Sequence, residues 1–308
     1  MGVSLRIYGR ERAFFVLLGL ALLQPVAVSA APSRLRQSES TSPVTSSSFQ
    51  TSDGVRLHVL EALPPRVSER LPVIALVPGW SMPASIWHEQ LRMLSQRYRV
   101  AALDPRGQGQ SEVPSKGYTA ERRARDIAEF VGHYRRVVLV GWSLGALEAL
   151  QYVHQFGDKS VDALVLVDSS VGEQPPPAPG NFLDNLRADR ARALDTFIRA
   201  IFRSKRSAAE HQQLLEGAMR MPLQASIDLL SYPFAREHWR DIARSFRKPL
   251  LYVVTPQFAE QAANLKRHRP GTRIEVFAEA GHTLFVDEPQ RFNALLENFL
   301  AAPPAAAR

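Results

Sequence analysis

Between residues 73 and 277, short apolar runs rich in β-branched residues alternate with segments of helical periodicity. No other feature of the chain narrows its fold as sharply. Successive parallel strands need a crossover long enough to hold a helix, so this alternation predicts a mostly parallel central sheet flanked by helices, an α/β fold. Val73–Val77, 99–103, 137–140, 163–167, Leu250–Val254 and 273–277 read as strands. Val73–Val77 is a continuous β-rich run without alternating polar positions, as expected of a strand buried on both faces. Helices are expected over 85–97, 119–133, Leu144–Phe156, 257–268 and Pro289–Ala301. Ahead of them, residues 49–51 and 55–61 flank Asp53-Gly54 and read as an opening hairpin.

The alternation is interrupted once. Residues 172–245 contain no convincing strand; they leave the sheet through Gln174-Pro175-Pro176-Pro177 and continue as amphipathic helices broken at Pro222 and Pro233. A helical lid inserted after the sixth core strand is therefore expected over one end of the sheet. The predicted organisation is a core from 48–171 and 246–302, a helical cap from 172–245 and a frayed tail from 303–308.

The N-terminus reads as an address. Arg6, Arg10 and Arg12 precede an apolar run of signal-peptide length, and Val28-Ser29-Ala30 offers small residues for cleavage after Ala30. An uncleaved N-terminal anchor is the alternative. Cleavage leaves a net charge of +6 in place of +8 and no stable membrane span, and places the protein in the periplasm or outside the cell. Residues 31–47, rich in Ser, Thr and Pro, read as a flexible lead-in. The absence of cysteine excludes a thiol nucleophile and thiolate metal ligands. The modest positive charge lacks the basic clusters with interleaved aromatics of a nucleic-acid groove, so no nucleic-acid partner is expected. Nothing in the residues sets an oligomeric state.

Gly141-Trp142-Ser143-Leu144-Gly145 lies between a buried strand and a helix. A serine on so tight a turn is lifted to the carboxyl edge of the sheet, where it can act as a nucleophile. The helix begins immediately behind it, so the Leu144 N–H and the positive helix terminus face any negative charge forming on a substrate. Two further segments stand out: Val77-Pro78-Gly79-Trp80 after the third strand, and Asp104-Pro105-Arg106-Gly107-Gln108-Gly109-Gln110-Ser111 after the fourth. Near the end come Gly281-His282 and Glu288-Pro289.

In this order the motifs resemble those of the α/β-hydrolase superfamily, over residues 49–301. With the insertion, the pattern is most similar to capped small-molecule esterases and to related lactone, C–C and perhydrolase-type enzymes. The resemblance implies a Ser143 nucleophile, a His282 base and a second oxyanion donor at the Trp80 N–H. It also implies that Asp104 and Arg106 tie their loop together. Pro78 stands where the family commonly has His, which removes a side-chain link beneath the oxyanion loop.

The acid departs from the family pattern. Its usual loop reads Thr255-Pro256-Gln257-Phe258-Ala259-Glu260, without Asp. Some members draw the acid from the preceding strand end, where this chain has Asp168; Glu260, or no functional acid, are the alternatives. His58, His88, His133, His154, His211, His238 and His268 have no partner motif and read as surface or packing residues. Trp80 and Trp142 are expected to line a substrate pocket, while Trp87 fits a helix core equally well. The expected function is that of a serine hydrolase needing no cofactor and no metal, with a small-molecule acyl substrate as its partner. The same triad cleaving C–C bonds or running perhydrolysis, and a non-catalytic binding protein on this fold, are the rivals.

Overall fold

The computed structural model describes residues 43–178 and 180–301. The predicted signal peptide and tail lie outside them. One sheet contains β1 (Val44–Gln50), β2 (Arg56–Ala62), β3 (Val73–Val77), β4 (Val100–Asp104), β5 (Val137–Trp142), β6 (Val161–Val167), β7 (Leu250–Val254) and β8 (Thr272–Val276). The spatial order is β1-β2-β4-β3-β5-β6-β7-β8. β1 and β2 pair antiparallel, as do β2 and β4, and the remaining pairings are parallel.

Helices α1 (His88–Leu94), α2 (Ala120–Val131) and α3 (Leu144–Phe156) follow β3, β4 and β5. Between β6 and β7 lie α4 (Phe182–Ala188), α5 (Arg190–Ala200), α6 (Ala208–Met219), α7 (Leu223–Leu230) and α8 (Arg236–Ser245). After β7 come α9 (Ala259–His268), α10 (Leu284–Asp287) and α11 (Pro289–Ala301).

The central strands bury both faces, as their unbroken apolar runs require. Ile74, Leu76, Val138, Val140, Val165 and Val167 point into one core, shared with α1, α11 and inserted helices. Ala75, Val77, Val137, Leu139, Leu164 and Leu166 point into the other, shared with α2, α3 and α9. Each buried Val or Leu contributes about 1.5–3 kcal/mol relative to exposure, so the middle of this sheet is its most strongly held part.

Two expectations change. The stretch read as lead-in already contains the start of β1, whose register pairs Val44 with Ala62 and Gln50 with Arg56. Most of its side chains are exposed, so backbone pairing at a sheet edge holds it, and the polar composition conceals the strand. The last inserted helix also departs from the predicted cap. α8 buries Trp239, Ile242 and Ala243 in the core shared with α2 and α3, because its apolar stripe fits the sheet-covering layer.

Register places the site. Trp142 pairs with Val167, and Val167 with Val253, so β5, β6 and β7 end side by side. Ser143, Asp168 and Thr255 therefore emerge along one edge of the sheet.

Candidate active site

Ser143 adopts φ 54 and ψ −120. Such a backbone costs a residue with a side chain on the order of 1–3 kcal/mol and persists only where its surroundings impose it. They do so on both sides. A Cβ at Gly141 would lie 2.3 Å from the Gly145 carbonyl oxygen, and one at Gly145 would lie 2.6 Å from the carbonyl oxygens of Val77 and Pro78. These obstacles are backbone atoms, so helix α3 can approach the sheet this closely only with glycine at both places. The Ser143 N–H donates to Val167 O at 2.9 Å and ties the turn to β6. The side chain is half-buried.

Asp168 stands one residue beyond the end of β6 with φ 42, a left-handed conformation that Asp tolerates better than most residues. Its carboxylate is buried, with one oxygen accepting the Thr255 N–H at 2.6 Å. The other faces His282 Nδ1 at 2.8 Å. An ionised carboxylate can only accept, so Nδ1 carries the proton and Nε2 presents its lone pair. Among the hydrogen bonds of the described residues, none joins the Ser143 hydroxyl to the His282 ring. Such bonds are often loose before substrate binds. Glu260, the alternative acid, lies exposed in the first turn of α9.

Trp142 packs beneath the histidine loop. Its Nε1–H donates to His282 O at 2.8 Å, and its ring centroid is 5.2 Å from those of His282 and Phe285. It therefore supports the loop, in place of the predicted pocket role. Trp80 is also sequestered, with its Nε1–H donating to Ser226 O at 2.9 Å and its ring edge-on to Phe182 and Phe197. That side chain joins the core to inserted helices. The Trp80 and Leu144 backbone N–H groups have no acceptor among the hydrogen bonds of the described residues, and Leu144 opens α3.

Ser143 and Ser169 line a cavity of about 250 Å³ walled by Leu144 and Leu147 of α3 and by Leu229, Leu230, Tyr232 and Trp239 of the insertion. Its polar groups are hydroxyls and an indole, and no charged side chain lines it.

The sequence reading missed two supports. Asp287 accepts from the Gly281 N–H at 2.8 Å and from the Ser204 N–H at 2.8 Å, and also takes the Arg203 N–H at 3.0 Å. Burial pushes its carboxyl up, but the Ser204 hydroxyl, which also donates to it, together with these N–H bonds overcomes that and holds it below the ordinary carboxylate range. A depressed carboxylate contributes stability above its unfolded pKa and loses it as pH falls through the folded value. Asp287→Asn should lower stability by about 1–3 kcal/mol. Thermal unfolding should show a gap from the unaltered protein that is constant above about pH 5 and narrows in acid.

The second support is a buried pair: Arg123 Nε meets Glu148 Oε1 at 2.8 Å, and the Tyr232 hydroxyl donates to the same oxygen at 2.9 Å. Burial pushes the Glu148 carboxyl above its ordinary range, and Arg123 pulls it back.

His58, read as a surface or packing residue, is of the packing kind and has polar partners besides. It is buried, with Nδ1 2.8 Å from Asp104 Oδ2 and Nε2 2.6 Å from Ser46 Oγ. Neither partner is visible without the strand pairing. Asp104 also accepts from the Gln110 N–H, and Arg106 is paired with Asp126 and Asp53, so both hold their loop.

The sequence model of the Alpha/beta hydrolase family matches residues 74–295. A pimeloyl-[acyl-carrier protein] methyl ester esterase of Aeromonas hydrophila is 26% identical, over 74% of this chain and 95% of its own. The AB hydrolase superfamily protein YisY of Bacillus subtilis is 25% identical, over 73% and 90%. Among solved structures, a provisionally assigned aryl esterase from Burkholderia cenocepacia superposes with a TM-score of 0.71 at 27% identity, covering 83% of this chain and 98% of that one.

Proposed function

This chain belongs to the alpha/beta hydrolase family, and from that premise we propose that it is a serine hydrolase of small or medium carboxylic esters or similar acyl substrates. Ser143 Oγ attacks the carbonyl carbon while its proton passes to His282 Nε2. The oxyanion accepts from the Trp80 and Leu144 N–H groups, which need not reorient as charge develops. Collapse expels the alcohol, which takes the proton from His282 and leaves an acyl group on Ser143. A water molecule, deprotonated by His282, releases the acid and restores the serine.

One observation carries this reading. Asp168 and His282, 114 positions apart in sequence, meet at 2.8 Å beside the strained turn that bears Ser143. That arrangement fixes a histidine tautomer able to accept a proton, which a merely structural turn does not require. The esterases among the similar proteins support the ester class. The uncharged cavity wall favours an apolar substituent. The signal sequence read at the N-terminus would put this activity in the periplasm or outside the cell.

A fluorophosphonate probe should label the unaltered protein and leave Ser143→Ala unlabelled. p-Nitrophenyl esters of increasing acyl length should then be cleaved for short and medium chains, with kcat/KM falling as the chain outgrows the cavity. Folded protein that takes no label would be a binding protein. Labelled protein that spares every ester but cleaves C–C bonds or uses peroxide would move the chemistry to one of those rivals.

A further inference from the structure

The loop bearing the Trp80 N–H lies against the nucleophile: a Cβ on Gly79 would come within 3.1 Å of Ser143 Cβ. The Gly79 carbonyl and the Trp80 N–H belong to one planar peptide and point in opposite directions. Whatever holds the Gly79 oxygen therefore aims the Trp80 N–H. Gln108 holds it. Its side-chain amide donates to Gly79 O at 3.0 Å and to Met82 O at 2.7 Å. Pro78 leaves no side-chain link beneath this loop, and Gln108 supplies one from the loop after β4.

Gln108 is itself held. Arg123 Nη2 donates to its Oε1 at 3.2 Å, and Arg123 Nη1 donates to Arg106 O at 3.0 Å. The same guanidinium grips Glu148 of α3 through two bonds, of 2.8 and 3.1 Å. Gln108, Arg123 and Glu148 are all buried. The Tyr232 hydroxyl closes the chain on Glu148, while Tyr232 also lines the cavity beside Ser143. A run of buried hydrogen bonds therefore leads from a cavity wall to the back of the oxyanion peptide. Members of such a run polarise one another, and each rigidifies the next.

We propose that Gln108, fixed by the Arg123–Glu148 pair, is the positioning residue that aims the Trp80 N–H at the developing oxyanion, and that Tyr232 anchors this device to the cavity wall. The proposal rests on the reading of Trp80 N–H as an oxyanion donor. It adds that the donor's aim is set in part from outside its own loop, by a side chain that reinforces the Met82 N–H bond to the same oxygen.

The test uses the full protein with Gln108→Met, which keeps length and removes the amide, and Tyr232→Phe, which keeps the ring and removes the hydroxyl. Gln108→Met should lower kcat about 10- to 100-fold for every ester, since it weakens a transition-state contact without touching the acyl pocket. KM should stay within about twofold. Affinity for an alkylboronic acid, which adds to Ser143 as a tetrahedral anion, should fall by a similar factor. The backbone amide resonance of Trp80 should shift while that of Leu144 stays. Tyr232→Phe should give a smaller loss of the same kind, in kcat before KM, and serves if Gln108→Met does not fold.

Unchanged kcat, boronate affinity and Trp80 resonance in either folded variant overturn the proposal. So does a Tyr232→Phe effect confined to KM, which makes Tyr232 a cavity wall only. If the unaltered protein neither takes a fluorophosphonate nor binds the boronic acid, the serine-hydrolase reading fails. If it does both and the Trp80 resonance is indifferent to Gln108, that reading stands and the positioning role falls.

Discussion

Asp168→Asn is expected to lower kcat by about 10⁴-fold while the protein stays folded. The asparagine carbonyl can still accept from the Thr255 N–H, and Asn tolerates the positive φ at this position. Its amide, however, donates where the carboxylate accepted, so the imidazole proton moves to Nε2 and the nitrogen needed as a base is blocked. Steady-state kinetics beside thermal unfolding separates this from a folding defect. Activity kept within about tenfold, with Glu260→Gln disabled in its place, would assign the acid to α9 and refute the geometry argued above.

Gly145→Ala should disable the protein by another route. The added methyl would sit 2.6 Å from two carbonyl oxygens of the β3 exit, and no rotamer can relieve a clash with Cβ itself. Either α3 retreats from the sheet or the oxyanion loop is displaced. Overpacking of this sort costs about 1–3 kcal/mol, occasionally more. Because both elements carry site groups, fluorophosphonate labelling should fall by more than the stability loss alone explains. Circular dichroism melts run with labelling rates check this, and unchanged labelling would show that the turn has slack.

The sheet and its helices were legible because parallel strands buried on both faces leave a continuous apolar trace. The turn at Ser143 was legible because its glycines answer to a steric demand. Asp168 could be named only as one of two candidate acids, beside Glu260, since its pairing with His282 depends on β5, β6 and β7 ending in register. Supports made by one side chain from each of several distant segments left no trace at all. Gln108 reads as one more polar residue of a glycine-rich loop, Glu148 as a helix residue, and Asp287 as the neighbour of Glu288-Pro289. The tryptophans went the other way: large apolar side chains near Ser143 suggested a pocket wall, whereas their indole N–H groups bond backbone carbonyls and make them braces. Composition hid the start of β1 for a related reason, because an edge strand needs backbone partners more than apolar side chains.

The histidine loop is stitched to the end of α5 and the turn beyond it. The Thr283 N–H and hydroxyl both donate to Ile201 O, while Asp287 takes the N–H groups of Arg203 and Ser204. A displacement of the α5–α6 side of the insertion would therefore pull on the loop that carries His282. On the opposite side of the cavity Tyr232 is fastened to Glu148 of α3, so the insertion is tied to the rest of the site at two separate places.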